Sequence, residues 1–333
     1  MDASNHSSES APTSPPRGRW RMALLTLQAT FCFACCTACS KAMGARVPTL
    51  EKVLLRSVLC LLFTVLGEGP LQLLRTLAAQ ARSSLLLLAL RGTLGFVALF
   101  CYFEAANHMP LVRLTLITRL HPAISTSVAP FVLGEAVQAR AWVTLALATA
   151  GVCVVALEKA NDVAASGGSD DGGLFAGLRR PATFLAFGAA LFTSAAFCSI
   201  RTLAVRGVPS VLTVAAFHAA GIPLSLLASR GLRGWVVPNA TESALLFGTA
   251  LAMQLAQISM TGVLRSRALS RVAPSSFLII VWNVLIGLLF FANALPTVQT
   301  LLGCTLVVGA LTWGERRRGR ARVAALRSDS SGE

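Results

Sequence analysis

Apolar residues along this chain come in long runs separated by short polar breaks. Ten runs stand out, at about 22–40, 52–66, 84–104, 110–133, 141–157, 183–204, 208–229, 243–264, 273–292 and 297–314. Each is long enough, or nearly so, to cross the ~30 Å hydrocarbon core of a bilayer as a helix. A soluble core holds one or two such segments, not ten in series. The pattern therefore predicts an all-α membrane protein with ten transmembrane helices.

The breaks divide the chain. Residues 1–18 are rich in Ser and Pro and read as a disordered cytosolic tail. The stretch 158–182 holds Ser166, Gly167, Gly168, Asp170, Asp171, Gly172 and Gly173 and reads as a linker between two halves, 20–157 and 183–314, of five helices each. Residues 315–333 read as a basic cytosolic tail, whose Arg316-Arg317-Arg318-Gly319-Arg320 run suits anionic lipid head groups. An odd number of spans per half makes two like-folded halves inverted in the membrane, a plan common among secondary transporters. The spacing Glu135 to Gly151 equals that from Asn293 to Gly309, which hints at the repeat.

Composition sharpens this picture. The 333 residues are 55% hydrophobic and only 13% charged, against ~25% charged in ordinary soluble domains. That excludes a typical soluble enzyme. The net charge of +15 would suggest nucleic acid on a soluble protein. Here most cations fall between apolar runs, and the larger share of loop Lys and Arg puts both termini in the cytosol. No nucleic-acid partner is expected. The cysteines, nine in all, lie in apolar segments and form no disulfide framework. Cys32, Cys35, Cys36 and Cys39 read as packing residues and not as a metal site. No metal, cofactor or catalytic pattern emerges, so an enzyme is not expected. Asn239-Ala240-Thr241 is a glycosylation sequon that this orientation places outside the cytosol.

Several motifs stand out in the first half. Lys41 ends the first span and Arg56 lies in the second. Arg91-Gly92-Thr93-Leu94-Gly95-Phe96 opens the third, which ends in Phe103-Glu104-Ala105. Met109-Pro110-Leu111 begins the fourth, Pro122 interrupts it, and Leu133-Gly134-Glu135 closes it. This set resembles the drug/metabolite transporter superfamily, in particular its EamA-type domains. The resemblance implies two inverted five-helix repeats and transport of a small organic solute; family members include exporters of amino acids and other metabolites, and nucleotide-sugar antiporters. The second half departs from the pattern, with Ile280 and Asn293 where the equivalent Pro and Glu are expected.

Charges and amides inside apolar spans are the candidates for binding, since each is costly in lipid. Arg119 shares a helical face with Thr115, Pro122 and Thr126, and Thr118, His121 and Ser125 make the adjoining face. Arg119 is the leading candidate for an anionic group, the alternative being a structural pair with Glu104. Gln254, Gln257 and Asn283 are candidates from the second half. Glu104 reads either as a proton-coupling carboxylate or as the ion-pair partner of Arg113 or Arg56. His218 reads as a core residue or a titrating group. Lys41, Arg91, Gly92, Pro122, Gly134 and Glu135 read as structural. The expected function is secondary transport of a small polar solute, anionic or otherwise, with a proton or counter-substrate as a coupling option. Export of amino acids or amines is the alternative on the same fold. A non-transporting scaffold or receptor is the alternative of another class. The oligomeric state is left open.

Overall fold

The structure is a computed structural model and describes residues 16–44, 46–108, 114, 117–165, 181–229, 235–290 and 297–330. All regular structure among them is helical: α1 Pro16–Ala42, α2 Thr49–Glu68, α3 Pro70–Ala78, α4 Arg82–His108, α5 His121–Leu133, α6 Ala139–Ala165, α7 Pro181–Val205, α8 Ser210–Ala228, α9 Ala240–Ser266, α10 Leu269–Val272, α11 Leu278–Phe290 and α12 Val298–Ser330. A 3₁₀ turn, Ala273–Phe277, joins α10 to α11.

Local chemistry explains the ends. Gly69, with φ +81°, ends α2, and Pro70 starts α3. Gly134 closes α5 in the left-handed conformation, its N–H donating to the Pro130 carbonyl. Asn239 caps α9 in a reciprocal capping box with Glu242.

Several boundaries differ from the sequence reading. α1 begins inside the predicted tail. α6 runs to Ala165, into the predicted linker, and α12 runs to Ser330, through the predicted basic tail. Charged side chains end a membrane segment without ending a helix, because Glu, Lys, Arg and Ala are good helix formers. The Arg91–Phe96 string lies mid-way along α4 and does not open it. α3 was not expected from the pattern at all. Its Leu71, Leu74 and Leu77 are exposed along one side, as on a helix lying at a membrane interface.

The surface is inside-out relative to a soluble protein. Phe131, Leu86 and Leu227 are exposed, while Arg56, Arg91 and His218 are buried. Six helical stretches are long and apolar enough to cross a bilayer: 20–42, 82–105, 181–205, 210–228, 240–266 and 269–290. Shorter apolar helices cover 139–155 and 298–314. The chain is a multi-pass membrane protein.

Helices of the two halves interleave. α4 packs on α7 and α8, and α1 packs on α9 and α11. α2 packs on α8 and α9, α5 on α7, and α6 on α12. Exchanging α1 with α7, α2 with α8, α4 with α9, α5 with α10–α11 and α6 with α12 maps these contacts onto one another. The α6–α12 crossing is close: a Cβ on Gly151 would lie 2.7 Å from the Gly303 carbonyl oxygen. Gly309, paired with Gly151 by spacing, faces open space instead.

Two spans are broken. Ile117 and Thr118 are helical, Arg119 and Leu120 turn, and α5 restarts at His121 with Pro122 in its first turn. Pro there lacks only an N–H that the helix start leaves unpaired anyway. The ninth span breaks at its 3₁₀ turn, where Pro274 takes the same place. α5 contacts both this turn and α10, so the broken spans of the two halves meet.

Candidate functional site

Four helices bring polar groups to one buried centre. On α2, Arg56, Cys60 and Thr64 follow at four-residue steps and share a face, and all are buried. α4 contributes Arg91, α8 contributes His218 and Ser225, and α9 contributes Gln254 and Gln257, all buried. The Arg91 Nη2 donates to Gln257 Oε1 at 3.2 Å, and its guanidinium carbon sits 4.9 Å from the centre of the Phe217 ring. The Gln254 Nε2 donates to Thr64 Oγ1 at 2.8 Å, and the Cys60 thiol donates to the Ala250 carbonyl at 3.2 Å. Cys36 of α1 is buried within electrostatic reach of Arg56. His218 lies within electrostatic reach of both Arg56 and Arg91.

Small residues make the convergence possible. A Cβ on Gly92 would lie 2.5 Å from the Ala216 carbonyl oxygen and 2.6 Å from the Ala220 Cβ. A Cβ on Gly95 would meet Arg91 Nη1 at 2.5 Å, so this glycine leaves room for the guanidinium to lie along its own helix. On α8, Gly221 sits against the Ser57 hydroxyl.

The electrostatics of this centre are one-sided. Glu51 accepts from the Val236 N–H, Glu104 pairs with His108 at 3.2 Å, and Glu68 ends α2 exposed. Glu135 pairs with Arg201 and Glu242 with Arg46, each at 2.6 Å. No acidic side chain among the described residues answers Arg56 or Arg91. Arg56 Nε and Nη2, Arg91 Nε, both His218 nitrogens and Gln254 Oε1 are buried with no hydrogen-bond partner. Burying a guanidinium without a countercharge is among the costlier arrangements a fold can hold.

The sequence candidates separate into groups. Gln254 and Gln257 belong to the centre just described. Arg119 lies instead at the break before α5, within electrostatic reach of Tyr102 and His121, and its Nε is buried without a partner. His121 is buried beside Phe197, and its carbonyl accepts from Ser125 and from Ser194 of α7. Thr118 is half-buried and bonds back to the Leu114 carbonyl. Asn283 stands exposed on α11, outside both groups. Thr115 and Arg113 lie outside the described residues, as do Met109, Pro110, Leu111 and Asn293. Of the partners expected for Glu104, Arg113 lies outside the described residues; Glu104 pairs with His108, one helical turn on, and not with Arg56 or Arg119. Lys41 is exposed at the end of α1.

Sequence reasoning named Arg56 and Arg91 but not their convergence on His218, and it passed over Tyr102 as a partner of Arg119. The four-residue rhythm of Arg56, Cys60 and Thr64 in an apolar run was the signal available for the first. No single-helix pattern carries the second.

The ends of the bundle are tied by charge. At one end, Arg46 holds Glu242 and reaches the Val237 carbonyl at 3.4 Å. At the other, Glu135 accepts from Arg201 Nε and from the Leu269 N–H at 2.8 Å, while Arg201 Nη1 reaches the Leu264 and Arg265 carbonyls. The 22 residues between Glu242 and Leu264 rise about 33 Å along α9, which matches a bilayer core. Asn239, the sequon residue, spends its carbonyl oxygen on the Glu242 N–H at 2.8 Å. Among the described residues, no group of three or more His, Cys, Asp or Glu side chains is placed to hold a metal ion.

Comparison with known proteins agrees with this architecture. Residues 20–157 match the EamA-like transporter family. The pseudopaline exporter CntI of Pseudomonas aeruginosa is 28% identical over 304 residues, covering 86% of this chain and 93% of the exporter. The same exporter from a second strain of that organism is 27% identical over the same coverage. A solved crystal structure superposes with a TM-score of 0.69 over 87% of this chain and 94% of its own, at 20% identity, and so shares the fold.

Proposed function

We propose that this chain, which carries an EamA-like transporter domain over residues 20–157, is a secondary transporter that moves a small polar organic solute by alternating access. The observation that carries this reading is the packing of the two halves. Their contacts map onto each other when the halves are exchanged, and their broken spans meet at the breaks. Transporters built from inverted repeats place substrate at such a junction, beside discontinuous helices. Two five-span repeats of opposite orientation would rock about that junction.

In this reading Arg119, His121 and Thr118 are the substrate contacts of the first half, and Gln254 and Gln257 those of the second. Asn283, exposed on α11, and Glu104, paired with His108, take a lesser place. Export is the direction favoured, because the matched relative is an exporter. Between an anionic solute and an amine, the buried centre favours the anion, since its unpartnered atoms include nitrogens of two guanidinium ions and no carboxylate oxygen. Both termini would lie in the cytosol, and Asn239 on the opposite side.

Cells expressing the chain, compared with cells carrying an inactive truncation, test the reading by mass spectrometry of the medium and the cell contents. The expected result is accumulation outside of a few small acids with matching loss inside. Identical profiles at equal expression would contradict it.

A further inference from the structure

The geometry points to a carboxylate site at the Arg56 fork, in the buried cluster that also holds Arg91 and apart from the Arg119 group. It rests on the transporter reading above and names the substrate class: a small organic solute bearing a carboxylate.

The first ground is the shape of the free donors. Nε and Nη2 lie along one edge of a guanidinium, and their N–H bonds run parallel. That edge matches the two oxygens of a single carboxylate. On Arg56 these are the two atoms that are buried and without a partner. The residue itself is 6% exposed. Water does not satisfy the fork from outside, and no protein carboxylate among the described residues reaches it.

The second ground is the ring of groups around it. Arg91, 3% exposed, adds a second cation with its own Nε unpartnered. Phe217 and Gln257 hold its head group in place. His218 lies within electrostatic reach of both cations and offers two unpartnered nitrogens at zero exposure. Each of these buried cations is costly to hold without an anion where the dielectric is low. A bound carboxylate supplies the missing countercharge and fills the fork in one step. Thus binding gives a large differential between bound and free states, which is what a ligand needs to shift a conformational equilibrium.

The third ground is the position. Arg56 is on α2, Arg91 on α4, and His218 on α8, so the site is built from both halves. Movement of one half against the other makes or breaks it.

The test is thermal unfolding of the purified full chain in detergent. The probes are acetate, succinate and citrate, with inorganic phosphate and propylamine as comparators at equal ionic strength. The proteins are the wild type, Arg56→Lys, Arg91→Lys and the surface control Arg206→Lys. Lysine keeps the charge but cannot form the fork, so folding is preserved while recognition is not. At least one carboxylate should raise the wild-type midpoint by a few degrees. Its apparent affinity should fall roughly tenfold in Arg56→Lys and stay unchanged in Arg206→Lys. Stabilisation by phosphate or propylamine alone, or equal carboxylate effects in wild type and Arg56→Lys, would overturn the site. Solute flux in proteoliposomes separates the two claims. Flux of a solute without a carboxylate, unimpaired in Arg56→Lys, sinks the site and leaves the transporter. No flux of any solute, together with no carboxylate shift, sinks both.

Discussion

Gly92 fixes how near α4 comes to α8, and so where Arg91 can stand. Its missing Cβ is what the Ala216 carbonyl occupies. Gly92→Val should therefore lower the unfolding midpoint, by an overpacking cost of about 1–3 kcal/mol. Gly67, with nothing within 4 Å, is the matched control. Gly67→Ala should be neutral or slightly stabilising, since Ala is the better helix former. Equal losses in both variants would mean that the α4–α8 contact is looser than described. Asn239 carries two readings that separate cleanly. As a helix cap, Asn239→Ala should cost about 1 kcal/mol and Asn239→Asp almost nothing. As a glycan acceptor, both changes should abolish a mobility shift in a glycosylating host. At this scale the sequence was only half legible. Intramembrane arginines are visible as violations of the apolar pattern, so Arg56, Arg91 and Arg119 could be picked out. Which of them face each other depends on helix rotation and on glycines that let backbones touch, and one helix's periodicity contains neither.

The spans themselves were the most legible level, because lipid demands long apolar runs and the runs are plain. Their ends were less so. α6 and α12 continue through charged residues that the apolar pattern treated as loop. The break in the fourth span was expected at Pro122, and it falls just before it, at Arg119 and Leu120. The break in the ninth span went unread because Pro274 sits at what looked like the start of a helix. One carboxylate, that of Glu135, ties the end of α5 to α7 and to the start of α10. Glu135→Ala leaves a mostly buried guanidinium and the Leu269 N–H without their acceptor. The loss should be on the order of 3 kcal/mol, read as a lower midpoint in detergent. Glu135→Gln keeps one acceptor and should lose less. If Glu135→Ala unfolds at the wild-type temperature, this corner is not a fixed point of the fold.

In the whole molecule the helix contacts of the first half recur among those of the second, ion pairs tie both ends of α9, and buried arginines sit at the centre. The chain is poor in charge yet strongly basic. Among its buried arginines, Arg56 and Arg91 have no acidic partner within the described residues. The most direct measurement is efflux from proteoliposomes loaded with an equal mixture of small carboxylates and small amines. The account predicts that carboxylates leave faster than from protein-free vesicles, that amines stay, and that Arg56→Lys slows the carboxylates. Efflux of amines with retention of carboxylates, from vesicles holding correctly folded wild-type protein, would contradict it.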